Sequence, residues 1–278
     1  MSAQHSATWE SLAREPAVYV HRANAKGPVV LICEHASPNV PAAFANLGVA
    51  PHDLLRHIGW DIGAGALALQ LSEALDTPLI EAGQSRLLMD LNRDPQEADS
   101  IPIISDGIPI PGNTNLGGAD RELRRRWLYE PFHAAIDEVL QARIHRQQPT
   151  AVLSIHSFTP ELNGHARPWH IGVLSDHDRR LAEALLAELR SGEFCVGDNE
   201  PYAPNQGVYH SMARHAQKRG LLCAMIEVRN DQLAAASAVQ HWCETLVRAI
   251  AGALRHTEAE VNTRSERSGL GPALGARG

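Results

Sequence analysis

The chain has 278 residues, 44% of them hydrophobic, with 25 Lys and Arg against 32 Asp and Glu. That is enough apolar material for one large α/β domain, and the formal charge of −7 excludes a general nucleic-acid surface while leaving room for a local basic pocket. No run approaches the roughly 18 to 20 apolar residues needed to cross a bilayer, and the N-terminus lacks a basic segment followed by an apolar core, so the expected location is the cytoplasm.

In chain order, "GPVVLICEH" (27–35) is a β-branched run bounded by Gly27 and Pro28, and reads as a core strand. A Pro- and Asn-rich loop follows. "WDIGAGALALQLSEAL" (60–75) predicts a helix with Ile62, Ala66, Leu69 and Leu71 inward. "TPLIEAG" (77–83) is the next strand, and "SRLLMDLNRDP" (85–95) is a strand or a turn. The Gly-, Pro- and Asn-rich segment 101–118 predicts a long loop beside the site, a candidate lid. A long amphipathic helix is expected over 120–147, with Leu123, Trp127, Phe132, Ile136, Val139 and Leu140 toward the core and Arg124, Arg125 and Arg126 on a solvated face.

Further strands are expected at 151–155, 169–176 and 221–231. Helices are expected at 177–192, 207–220 and 232–256, two of them stopped by Gly192 and Gly220. Residues 257–278 are polar and Gly-rich and read as a flexible tail behind a single domain, 1–256. Strands separated by helices predict an α/β fold with a mixed, mostly parallel sheet and helices on both faces.

Several features are excluded. Cys33, Cys195, Cys223 and Cys243 form no C-x-x-C pair, so neither a disulfide framework nor a zinc knuckle is indicated. No G-x-S-x-G elbow is present, and "GAGALA" follows no apolar strand, so it is a weak dinucleotide signal.

Three apolar runs end in groups able to bind a metal or move a proton: Glu34 and His35 after "VVLIC", His156 after "VLSI", and Glu227 within "AMIEVRND". Two imidazoles and a carboxylate suit zinc, with an open position for water and a fourth, unbound carboxylate as proton acceptor. Asp61 is a candidate third ligand and Glu34 its competitor. Arg86, Asn92 and Arg93 lie close together, and Arg229 follows Glu227 by two residues on the same strand face. Arginine forks match carboxylates, so the group points to a small anionic substrate, unless each arginine instead pairs with Asp90, Asp94 or Asp231.

Taken together, "CEHAS", "WDIGA", "SRLLMDLNRDP", "SIHSF" and "IEVRND", in that order, resemble the N-formylglutamate amidohydrolase family over roughly residues 28 to 250. That family is related to zinc carboxypeptidases and aspartoacylase-like deacylases. The resemblance implies a phosphorylase/hydrolase-like α/β fold, one zinc ion held by His35, Asp61 and His156, and Glu227 as general base. It also implies that Arg86, Asn92 and Arg93 hold a substrate carboxylate, with Arg229 an alternative to Arg93 on the reading of the residues above, and that the reaction cleaves an N-formyl or other N-acyl acidic amino acid. Two rival readings are a zinc carboxypeptidase on a small peptide and a non-catalytic binder of an acidic metabolite. Oligomeric state is left open.

Overall fold

The longest apolar runs are buried along nearly their whole length, which places them in the middle of a sheet covered on both faces. They are β2 (Val29–Cys33), β4 (Ala151–Phe158) and β7 (Cys223–Arg229). With β1 (Val18–His21), β3 (Leu79–Ala82), β5 (Ile171–Leu174) and β6 (Val196–Asp198), they make a seven-stranded sheet in the order β1-β3-β2-β4-β7-β5-β6. The computed structural model describes residues 9–12 and 14–269.

The pairs β2/β3, β2/β4, β4/β7 and β5/β6 are parallel, and β1/β3 and β5/β7 antiparallel. The fold is therefore a mixed, mostly parallel α/β sheet. Helices α1 (Ala64–Ala74), α4 (Arg180–Arg190) and α5 (Ala236–Gly269) belong to one face, with Leu67, Leu71, Leu185 and Leu246 packed on Leu31, Leu153 and Ile226. On the other face, α3 (Glu130–His145) sets Phe132, Ile136 and Leu140 against Val30, Ile32 and Val152. Strand alternation thus splits the core: Val152, Ser154 and His156 on β4, and Met225 and Glu227 on β7, look toward the α3 side.

The structure differs from the sequence expectations in several places. Helix α1 begins at Ala64 and buries Ala64, Leu67, Ala68 and Leu71, leaving Ala66 and Leu69 outward. The long helix forms, with a π bulge inside it. A regular α2 (Gly118–Arg124) leads into a π turn, Arg125–Tyr129, before α3, because Pro131 has no N–H for the α-helical bond and its ring crowds the preceding turn. Arg124, expected on a solvated face, is buried, donating to the carbonyls of Leu88 (2.9 Å) and Gly112 (3.3 Å) and to Asn113 Oδ1 (2.7 Å).

Segment 85–95 forms turns. The expected helix 207–220 is a π turn, Met212–Ala216, followed by a 3₁₀ turn, Gln217–Arg219. The edge strands β1 and β6 were not anticipated. Helix α5 starts after a 3₁₀ turn, Asn230–Leu233, and runs on to Gly269; residues 270–278 of the expected tail lie outside the described residues. Among the described residues no helix is long and apolar enough to cross a membrane.

Candidate active site

Parallel strands end together, so β2, β4 and β7 deliver their polar residues to one edge of the sheet, where α/β folds place ligands. His156 on β4 pairs in register with Glu227 on β7, and Ile32 on β2 pairs with Ser154, which brings Glu34 and His35 to the level of His156. Asp61 arrives from the turn after the loop: its backbone N–H donates to the His35 carbonyl at 2.9 Å. The turn needs Gly63, whose φ is +83° and where a Cβ would lie 2.5 Å from that of Leu233.

These residues converge. Asp61 Oδ2 is 2.7 Å from His156 Nδ1 and 3.3 Å from His35 Nδ1, and it accepts the Ser157 N–H at 3.4 Å. His35, Asp61 and His156 each offer one ligand atom within 4.8 Å of the others, and all three are buried. The far nitrogen of each ring faces a second carboxylate. His35 Nε2 is hydrogen-bonded to Asp90 Oδ1 at 2.8 Å, and His156 Nε2 lies 3.1 Å from Glu34 Oε2, an ion-pair distance without hydrogen-bond alignment. Glu34 Oε2 accepts the Ser154 hydroxyl at 2.6 Å, while its Oε1 is buried without a partner. Glu34 therefore stands behind His156, and Asp61 is the carboxylate between the rings.

The electrostatics follow from burial opposed by pairing. Burial acts to raise the carboxyl pKa of Asp61, but His35 and His156 outweigh it and hold the group well below the usual range. Asp90 is likewise held low by Arg86 and His35 against its burial. Glu34 is held at about 2 by His156 and Ser154 against the same opposition. Both imidazoles are raised although burial opposes their charge: Asp90 and Asp61 act on His35, and Glu34 and Asp61 on His156. Glu227 moves opposite to the other three carboxyls. Burial, with the charge of Asp61, pushes its carboxyl up to about 7.

The residues fit a divalent metal. Two imidazoles and one carboxylate are the donor set of a catalytic zinc site, and ring nitrogens backed by carboxylates are the usual support of such ligands. Exchanging the two imidazolium protons for one dication also leaves the charge balance of the pocket unchanged.

Of the four residues expected to bind substrate, Arg86, Asn92 and Arg93 line the cavity and Arg229 does not. Arg86 lines the cavity but is committed to Asp61 Oδ1 (3.2 Å) and Asp90 Oδ2 (2.7 Å). Asn92 lines it too, with its amide donating to the Val208 carbonyl and accepting from Ser211 N–H at 2.9 Å, so it is a tether. Arg229 is not among the lining residues of the cavity; it pairs with Asp231 (2.8 Å) and donates to the carbonyls of Arg167 and Pro168. Arg93 pairs through Nε with the exposed Asp99 at 3.0 Å, and lines the cavity.

That cavity, of about 150 Å³, is bounded by His35, Asp61, His156, Arg93, Tyr202 and Glu227. An outer chamber of about 340 Å³ shares Asp61, Arg86, Arg93 and Tyr202 with it and is lined by Pro102, Ser105, Asp106 and Gly107 of the 101–118 loop. Sequence reasoning missed Asp90 as the partner of His35, and it missed Tyr202. The signal for Asp90 was its position four residues after Arg86, read only as an ion pair. Tyr202 lies in a segment that carried no motif. Its phenol accepts Arg167 Nη1 at 3.0 Å, and burial, with the charge of Glu227, raises its pKa.

Two histidines at the ends of neighbouring strands and an aspartate from the turn before α1, with a buried glutamate facing the same cavity, define an α/β chain of hydrolase type. The chain belongs to the N-formylglutamate amidohydrolase family, whose model matches residues 27–234, and so is an enzyme of the amidohydrolase class. It is similar to a gene product of Agrobacterium tumefaciens at 40% identity, with a TM-score of 0.87 over 88% of this chain and 98% of that one. It shares its fold with an N-formylglutamate amidohydrolase from Ralstonia eutropha JMP134, at 18% identity and a TM-score of 0.62 over 87% of this chain and 97% of that one. A comparison with curated proteins returned no match.

Proposed function

We propose that the protein is a zinc-dependent hydrolase that cleaves the amide bond of an N-formyl or other N-acyl acidic amino acid, releasing an acid and the amino acid. The observation that carries this reading is the carboxylate-backed His35, Asp61 and His156 group beside a buried Glu227 held at about 7. Zinc held by these three residues supplies Lewis acidity that makes a water nucleophilic near neutral pH and polarises the scissile carbonyl.

The chain's own residues do the rest. Glu227, poised near neutrality, accepts the proton of the attacking water and returns it to the departing nitrogen. Arg86 faces the charge that develops on the carbonyl oxygen, and Asp61 and Asp90 hold it in place. Arg93, paired through Nε with the exposed Asp99, supports recognition of the substrate carboxylate through its other two nitrogens. The inner cavity admits a small acyl group, and the outer chamber takes the remainder of the molecule.

The test is to strip the protein with a chelator, restore zinc, and assay N-formylglutamate and a panel of N-acyl acidic amino acids beside Glu227→Gln. Zinc-dependent release of the free amino acid, lost in the variant, is expected. Intact substrate after incubation with the zinc-loaded protein would overturn the reading.

A further inference from the structure

A second buried polar cluster lies behind the site. His133 on α3 and His215 on the Met212–Ala216 turn face each other, Nδ1 to Nε2, at 2.6 Å, with ring planes only 18° apart, so they meet end to end. Both outer nitrogens are also engaged: His133 Nε2 lies 3.0 Å from the Leu91 carbonyl, and His215 Nδ1 lies 2.9 Å from Asp137 Oδ1.

The row can be counted in protons. A carbonyl oxygen can only accept. Asp137 Oδ1 already accepts Arg219 Nη2 at 2.7 Å, so it is an acceptor toward His215 as well. Three hydrogen bonds between these two fixed acceptors need three protons on four ring nitrogens, and two neutral imidazoles carry two. With one proton missing, an end acceptor loses its donor or two lone pairs face each other across 2.6 Å.

We propose that His133 and His215 share one additional proton and act together as positioning residues for the candidate site, clamping the Leu91 carbonyl. Leu91 sits between Asp90, which orients His35, and Asn92, which ties this turn to Val208 and Ser211. The clamp therefore sets the direction of a carboxylate in contact with a metal-facing imidazole.

Groups from every packed element bear on the shared charge. Tyr129 and His210 set their rings 4.1 Å and 5.6 Å from that of His133, Arg214 and Arg219 lie beside His215, and Glu34 acts from the end of β2. Burial first, then the neighbouring imidazoles and Arg214, lower both rings, His215 to about 4; Asp137 and Glu34 oppose this, as does the Leu91 carbonyl that needs a donor. The proton leaves as pH rises, so the clamp is complete on the acid side and loosens on the alkaline side.

The experiment is ¹⁵N NMR of the full chain labelled at histidine, with backbone amide spectra recorded over the same pH range. At the acid end of the range, below the value of about 4 to which His215 is lowered, we expect three protonated ring nitrogens on the His133 and His215 pair, falling to two as pH rises, with the Leu91 and Asn92 amide signals moving at the same midpoint. Asp137→Asn separates positioning from packing. With its amide nitrogen turned to His215 Nδ1, all three bonds are filled with neutral rings, and only the Arg219 Nη2 bond, which shares Oδ1 with His215 in the wild type, is given up. Two protonated nitrogens at every pH, and Leu91 and Asn92 signals that no longer follow it, are expected. Two protonated nitrogens in the wild type throughout the range, or amide signals indifferent to the loss of the third, would overturn the proposal. The wild-type count decides even if the variant does not fold, and neither readout depends on catalysis or on bound zinc.

Discussion

His156 and Glu227 face each other across β4 and β7, paired in register on adjacent parallel strands. The pairing sets the proposed base and a candidate metal-facing imidazole side by side at the strand ends, both looking toward the α3 side of the sheet. Both groups are shifted upward, which favours the charged form of the imidazole and the neutral form of the carboxyl. His156 is surrounded by Glu34 and Asp61, whereas Glu227 meets the repulsion of Asp61 and is held at about 7.

Glu227→Gln should lower turnover by about 10²- to 10⁴-fold while leaving zinc content unchanged. The metal-free protein offers a second readout. The carboxyl pKa rises from 4.5 to about 7 on folding, so its stabilisation is fully present below the unfolded value and is lost as pH rises through 7. The glutamine variant lacks that loss, so it should gain up to about 3 kcal/mol on the wild type between pH 4.5 and pH 8 in urea titrations. An equal pH dependence in both proteins would remove the shifted carboxyl from the account.

Zinc uptake should release about two protons per ion near neutral pH, because His35 and His156 are both raised above the ordinary imidazole range. Affinity should accordingly climb with pH. Calorimetry in buffers of different ionisation enthalpy reads the number, and a value near zero would mean that the rings are already neutral.

Asp90→Asn and Glu34→Gln should each weaken zinc binding by about ten- to a hundredfold, short of the loss expected for His156→Ala. The effect should be larger at Asp90, which makes an aligned 2.8 Å hydrogen bond to His35, than at Glu34, which sits 3.1 Å from His156 out of alignment. Competition with a fluorescent chelator ranks the three.

Arg93→Ala and Arg229→Ala should separate recognition from structure. The first should raise KM by about 10- to 100-fold through loss of a charged hydrogen bond to substrate. The second should leave KM near the wild-type value and lower stability by about 1 to 3 kcal/mol, since Asp231 and two loop carbonyls lose their donor. A raised KM for Arg229→Ala at unchanged stability would return that residue to the substrate.

The sequence by itself determined the sheet's central strands and the polar groups at their ends. Runs such as "VVLIC" and "AVLSIHSF" are buried on both faces, and a continuous apolar run with a histidine or glutamate at its end is a local pattern, readable without knowing its neighbours. The weakly amphipathic edge strand β1 escaped because its outer residues Tyr19 and Val20 are exposed, and the face of α1 was misjudged because only docking on the sheet selects Leu67 over Leu69.

The tertiary structure alone decided how the charged groups divide their partners. Arg124 left the solvated face because carbonyls of residues distant in sequence converge on it, and Arg229 turned to Asp231 and the 167–168 carbonyls. Asp90 reaches His35 across 55 residues, and His133 reaches His215 across 82. Such pairings have no periodicity to leave in the sequence: a buried charge takes whichever partner the folded chain brings within about 3 Å, and that is settled only when the strands have paired.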